Sequence, residues 1–274
     1  MTSEGDAGDW FKPWWDAYVD IAPNAERALA LLRPSGGVCG MDHVAIRTYA
    51  TPRLEMRRLE SVIERAGYVK TGTYDFKEKR LRAASYSHRS SPLPRIFVSE
   101  LIVNTFGNEV QEIIERCDAR QEHDAADLLW NPRCSWRSIS SDEFEVLLAE
   151  SEYAAWVGAY GLRVNHFTVG FEQLSGYHSL GEVNRHLQEN GFRLNGGKQA
   201  IQGSEGGLFE QSSTVAELVD WTFGDGEVRR VRSCYVEFAR RYQDKSGLLF
   251  DGFVTSHADN IFESTDMKRS DLLK

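Results

Sequence analysis

Paired cysteines, clustered basic charge and long apolar runs are all missing from this chain. Four cysteines (Cys39, Cys117, Cys134 and Cys234) are scattered over 274 residues, and no two stand at the C-x-x-C spacing of a zinc knuckle or redox motif. Reduced thiols in a cytoplasmic protein are therefore expected, with no disulfide framework. Lys and Arg number 32 against 41 Asp and Glu, for a formal charge of −9. Binding a nucleic-acid backbone needs clustered cations that displace counterions, so no nucleic-acid partner is expected. No stretch approaches the roughly 18 apolar residues of a spanning helix. The start "MTSEGDAGDW" has neither a basic nor an apolar leader region, so the expectation is a soluble, unexported chain without a membrane partner. Low-complexity tracts and long flexible linkers are missing too, which argues against independent tethered domains.

What the chain does have is 41% hydrophobic residues, enough for a substantial core, and one pattern used twice. "MDHVAIRTY" and "RVNHFTVGF" each set a histidine, His43 and His166, after Asp or Asn and before alternating apolar residues. Each then leads to a helix. Thr51 and Pro52 offer an N-cap and a first helical residue, Leu59, Val62, Ile63 and Ala66 follow at i, i+3, i+4, i+7, and Gly67 ends the first helix. In the second copy Ser179 and Glu182 form a capping-box signal, Leu180, Val183 and Leu187 mark the helix, and Gly191 ends it. The terminating glycines fall 24 and 25 residues after their histidines. "YVKTGTYDF", "LRAASYSH" and "RIFVSEL" read as strands closing module one, and "IFVSEL" aligns with "CYVEFA" of module two.

Around the copies, "DWFKPWWDAYVDIAPNAERALALL", carrying Trp10, Trp14 and Trp15, predicts a packed N-terminal helix followed by a turn from Pro34 to Gly37. "GNEVQEIIERCDARQEHDAADLLW" and "SSDEFEVLLAESEYAAWVGAYG", the latter opening on a Ser140 and Glu143 capping box, predict a helical insert. The economical division is a single α+β domain: an N-terminal helical segment over 1–36, module one over 37–103, the insert over 104–160, module two over 161–241 and a packing segment over 242–274.

Side chains alternate across a strand, so His43, Ala45 and Arg47 share one face and the apolar residues beside them the helix-covered other. His166 takes the equivalent position, and two such modules paired about a pseudo-twofold axis would bring both histidines to one central cavity. Glu237, between Val236 and Phe238 in "CYVEFARR", is costly to bury unless paired or metal-bound, and the strand alignment sets it opposite Ser99 of module one. His43, His166 and Glu237 thus make a two-histidine, one-carboxylate candidate site that suits non-haem Fe(II), with Mn, Co, Ni or Zn also accommodated. Arg47 on the His43 face suits an anionic substrate, the competing reading being an internal salt bridge to an acid such as Glu100. Gln211, Ser212, Ser213 and Thr214 offer substrate hydrogen bonds or a turn. His88 and His178 read as loop residues, His123 and His186 as helix-face residues, and His257 as a cavity or local hydrogen-bonding residue.

Taken in order, "DHVAIRTY", "RIFVSEL", "VNHFTV", "GGLFEQSSTVAE", "YVEFARR" and "GFVTSHADNIFES" resemble the 2-oxoadipate dioxygenase/decarboxylase (2-hydroxyglutarate synthase) family, from roughly Trp10 to Thr265. The resemblance implies a vicinal-oxygen-chelate-like fold whose paired βαβββ modules curve around one metal. It implies Fe(II) held by His43, His166 and Glu237, with Arg47 as the catalytic, substrate-binding arginine. The implied reaction is 2-oxoadipate with O2 giving 2-hydroxyglutarate and CO2, a late step of lysine breakdown. Competing expectations are an isomerase, lyase or hydrolase of the same fold that uses no O2, and a non-catalytic binding protein.

Overall fold

Residues 8–32, 40–89, 93–254 and 263–265 are described by the computed structural model. The chain opens with two helices, α1 (Gly8–Val19) and α2 (Pro23–Leu32), where one continuous helix was expected. The N–H groups of Ile21 and Ala22 fold back onto Tyr18 and Val19 carbonyls, ending α1, and Pro23 starts α2 where no donor is needed. Trp14 is buried with its indole N–H on the Leu129 carbonyl at 2.8 Å, and Trp15 meets Phe167 edge-on at 5.2 Å, so both pack the helix down. The Trp10 side chain, the Pro34 to Gly37 turn, Cys39 and His257 lie outside the described residues.

Module one comprises β1 (Met41–Tyr49), α3 (Met56–Arg65), β2 (Tyr68–Phe76), β3 (Leu81–His88) and β4 (Arg95–Leu101). Its helix starts later than Thr51 and Pro52 suggest. The N–H groups of Leu54 and Glu55 both return to the Thr51 carbonyl, closing a turn before Met56. Leu59, Val62 and Ile63 are fully buried against the sheet, and Gly67 ends the run with φ at +92°, a conformation that favours glycine.

Four helices follow: α4 (Asn108–Arg120), α5 (Ala125–Trp130), α6 (Ser141–Glu150) and α7 (Glu152–Tyr160). Each of the two helical stretches read from sequence is divided in two. Asp124 and Ser151 supply the interior breaks as side-chain N-caps, while Ser140 and Glu143 make the expected reciprocal box. His123 accordingly sits in the connection before α5, not on a helix face.

Module two contains β5 (Arg163–Gly170), α8 (Leu180–Glu189), β6 (Gln202–Ser204), β7 (Phe209–Ser213), the hairpin β8 (Leu218–Thr222) and β9 (Val228–Arg232), and β10 (Tyr235–Arg241). Ser179 caps α8 through the Glu182 N–H, and the hairpin is an elaboration absent from module one. One eight-stranded sheet runs β2-β3-β4-β1-β5-β10-β7-β6. In both modules the last strand lies parallel beside the first and antiparallel to the third, and the modules join where β1 and β5 pair antiparallel. That order is the pseudo-twofold the repeat predicted.

Two irregularities interrupt the central ladder. Asp42 and Asn165 are extra residues against the partner strand, each immediately before a histidine. A bulge turns an extra side chain toward a face that alternation would deny it. Ladder register also corrects one correspondence. His43 stands across from Arg95 and His166 across from Tyr235, so the counterpart of Glu237 is Phe97, not Ser99. Both lie on the cavity face, because the alignment by sequence erred by two residues and preserved parity. No helix among the described residues is long and apolar enough to cross a membrane.

Candidate metal centre

β1, β5 and β10 bring His43, His166 and Glu237 together at the module junction, all three buried, with ligand atoms within 4.8 Å of one another. His43 Nε2 lies 3.4 Å from Glu237 Oε1, and His166 Nε2 lies 3.4 Å from Glu237 Oε2. The rings stand nearly perpendicular, centroids 5.7 Å apart. Phe253, from the segment after β10, closes over His43 at 4.8 Å and also meets Phe97 at 5.0 Å.

The residues beside each histidine settle which nitrogen faces the cavity. Asp42 Oδ1 lies 2.8 Å from His43 Nδ1. A carboxylate only accepts, so Nδ1 carries the proton and Nε2 presents its lone pair inward. Asn165 Oδ1 stands in the same relation to His166 Nδ1 at 3.2 Å. Asp42 is itself clamped by Arg241, whose Nε and Nη2 donate to its two oxygens at 2.7 and 2.9 Å. Arg241 also donates to the carbonyls of Phe250 and Gly252, tying the Phe253 segment to the same carboxylate.

These contacts bear directly on whether a cation fits. Burial keeps both imidazoles neutral, lowering their pKa, while burial and the nearby Asp42 charge push the Glu237 carboxyl well above the usual range. Glu237 Oε1 has no hydrogen-bond partner among the described residues. The Thr168 hydroxyl lies 3.0 Å from His43 Nε2, but the His166 Nε2 lone pair faces a carboxylate oxygen at 3.4 Å and Glu237 Oε1 is unpartnered, an arrangement that needs either a shared proton or a cation. A divalent ion suits it, since neutral imidazoles and an ionised carboxylate are the ligating forms.

Arg47 lines the same cavity and is buried. It pairs not with Glu100 but with Glu152 at the start of α7, Nη1 lying 3.2 Å from Oε1, while Nη2 donates to Thr265 at 3.0 Å. Tyr153 and Trp156 stand under its guanidinium at 4.9 and 5.3 Å. Glu100 faces the opposite side and is held by Arg82 and the Met56 N–H. Of the residues from Gln211 to Thr214, Gln211 lines the cavity, whereas Ser212 donates to Asn184, Ser213 meets Ser264 and Thr214 meets Val236 N–H.

Sequence reasoning missed Arg241, Tyr235, Phe253 and Glu152. Arg241 carried a readable signal, a cation four residues beyond Glu237 in a strand, the same signal that singled out Arg47. The others join the site only through long-range packing. His88 ends β3 against Tyr68, and His186 lies on α8 against Tyr177. His178 is an exposed loop residue. None of the three approaches the cluster.

Paired βαβββ modules enclosing one buried histidine and carboxylate cluster are the architecture of the vicinal-oxygen-chelate fold. Residues 36–133 and 118–247 match the profile of the 2-oxoadipate dioxygenase/decarboxylase family, and the chain belongs to that family of enzymes. A curated relative, the 2-oxoadipate dioxygenase/decarboxylase of Oryza sativa subsp. japonica, is 33% identical over 90% of this chain and 75% of its own. The crystal structure of hydroxyglutarate synthase in complex with 2-oxoadipate from Oryza sativa is similar with a TM-score of 0.86 and 30% identity, covering 97% of this chain and 93% of that one. A protein of Shewanella frigidimarina NCIMB 400, provisionally described as a hydrolase, is similar with a TM-score of 0.84 and 35% identity, covering 91% and 98%.

Proposed function

We propose that this protein is an Fe(II)-dependent dioxygenase and decarboxylase that converts 2-oxoadipate and O2 into 2-hydroxyglutarate and CO2. The observation that carries the reading is the convergence of His43, His166 and Glu237 with Arg47 in one buried cavity. His43, His166 and Glu237 are the metal ligands of this proposal. They would hold the ion with two neutral donors and one anionic donor, a three-residue set that would leave it accessible to substrate. Bound iron would supply Lewis acidity and a redox relay, the four electrons that reduce O2 coming from the oxo acid itself, two on its decarboxylation and two on its hydroxylation.

The protein's own part is positioning. Asp42 orients His43, and Asn165 orients His166, so that both ligands are set before binding. Arg47 receives the acid's second carboxylate and directs the chain of the substrate across the cavity, with Glu152 balancing its charge. Phe97, Phe253 and Ala45 make the wall apolar and keep water from the reacting carbon. A cytoplasmic location, inferred from unpaired thiols, belongs to the same proposal; Cys117 and Cys234 are free and buried.

The test is anaerobic loading with Fe(II), then O2 uptake and product mass against 2-oxo acids of four to seven carbons. The expected result is about one iron per chain, O2 consumed in step with 2-oxoadipate, and a one-carbon-shorter 2-hydroxy acid. Turnover of an oxo acid without O2 consumption would replace this reading with a metal-dependent isomerase, lyase or hydrolase.

A further inference from the structure

Among the described residues the cavity holds one hydroxyl that neither the metal cluster nor the packing employs; Asn165 Nδ2 is also unpartnered there, but its amide is committed through Oδ1 to His166. Tyr235 is 2% exposed, lines the cavity beside Arg47, His166 and Glu237, and its hydroxyl has no hydrogen-bond partner among the described residues. A buried, unsatisfied hydroxyl is costly. Its ring is held firmly, stacked on His166 at 4.5 Å and 26°, with the Tyr18 hydroxyl donating to its backbone carbonyl at 2.6 Å. The hydroxyl is therefore placed without being satisfied. Tyr86 and Tyr160 carry similarly unpartnered hydroxyls, but neither lines this cavity.

The two modules differ at this position. Arg95, the ladder counterpart of Tyr235, turns toward Asp42 and Asp251 on the other side of the metal cluster. Among the described residues, module two alone therefore sets an uncommitted hydroxyl beside its histidine. Arg47 has Glu152 as counter-charge and gives one N–H to Thr265, so an incoming carboxylate meets a neutralised pair rather than a free cation. A second donor at that end restores the gain from binding there.

We propose that Tyr235 is a substrate-binding residue whose hydroxyl, together with Arg47, holds the carboxylate remote from the metal. This rests on the 2-oxo acid reading above and identifies which end of the acid the second donor serves. The discriminating variant is Tyr235→Phe, which keeps the ring stack and removes only the hydroxyl. Binding of 2-oxoadipate and of 2-oxohexanoate, which has equal length but no second carboxylate, is measured anaerobically by calorimetry on the Fe(II)-loaded protein, with iron content and Tm alongside.

Loss of a hydrogen bond to a charged group predicts an affinity for 2-oxoadipate weaker by about tenfold or more. Affinity for 2-oxohexanoate and iron content stay within about twofold, and Tm is equal to or above wild type because an unsatisfied hydroxyl is gone. A variant that binds 2-oxoadipate as wild type does, or weakens both acids equally, overturns the proposal. A lowered Tm with unchanged affinity does so too, by making the hydroxyl structural. Wild-type protein that binds neither acid removes the functional reading itself and this inference with it, a result distinguishable from failure of the variant alone.

Discussion

Replacing Asp42 by asparagine probes the link between the fold and the candidate metal centre. Asp42 accepts from His43 Nδ1 at 2.8 Å and from Arg241 Nε and Nη2 at 2.7 and 2.9 Å, all with side chains nearly buried. An amide of the same shape still accepts through one oxygen, but its NH2 faces a guanidinium N–H, donor against donor, and the Arg241 charge loses its counter-ion. Removing one partner of a buried pair costs about 3 kcal/mol at the lower end of the measured range, which suits a change that can keep two of the three contacts. For a chain of this size that corresponds to a fall in Tm of about 6–12 °C. At the metal, loss of the orienting carboxylate weakens affinity by about 10- to 100-fold.

Thermal melts of metal-free protein give the first quantity, and Fe(II) titration well below the melting range gives the second. Asn165→Ala is the internal control, since the Asn165 to His166 contact is longer at 3.2 Å and carries no charge, and its effect on iron affinity should be the smaller. An Asp42→Asn protein with unchanged Tm and iron affinity within about twofold of wild type would refute the reasoning, because neither the Arg241 clamp nor the orientation of His43 would then matter.

Three further outcomes follow from the same geometry. His43→Ala, His166→Ala and Glu237→Gln should each abolish stoichiometric iron binding, measured by metal analysis after desalting, and retention of about one iron in all three would remove the site. Arg47→Ala should keep its iron while kcat/KM for 2-oxoadipate drops about 100-fold or more, the scale expected when a positioning contact is lost; wild-type kinetics on every oxo acid would refute its role. Burial raises the Glu143 carboxyl, but the Ser140 N–H and Arg120 outweigh it and hold the group below the usual range. Its stabilising contribution is therefore present above the unfolded carboxylate pKa and lost as pH falls through the lower folded value. Melting curves from neutral pH down to about 3 should show Glu143→Gln less stable at neutral pH and converging with wild type in acid.

The elements most legible in the sequence are those whose pattern is local. β2, β3 and β4 coincide with the quoted strands because runs of strand length end at clear polar turns. The caps at Ser140 and Ser179 were readable because capping is a contact over three residues. Thr51 shows where such local reasoning fails. It has the right type and is followed by proline, yet the chain closes a turn there, and Glu100 from β4 accepts the N–H of Met56 to start the helix. The Glu100 contact spans 44 residues and has no local signature.

The candidate site divides along the same line. His43, His166 and Glu237 were recoverable because a duplicated strand with matched parity fixes which face each occupies, and parity survives even the two-residue error that paired Glu237 with Ser99. The bulges at Asp42 and Asn165, the Arg241 clamp, the Glu152 and Thr265 partners of Arg47, and the Phe253 roof depend on how distant strands and segments meet. Alternation and repetition, properties of neighbouring residues, were thus enough to determine two modules and the inward face of each. Which groups converge at that face, with which hydrogen bonds and charges, was decided only by tertiary structure, because those contacts join residues 105 to 218 positions apart, whose proximity is created by the antiparallel pairing of β1 with β5.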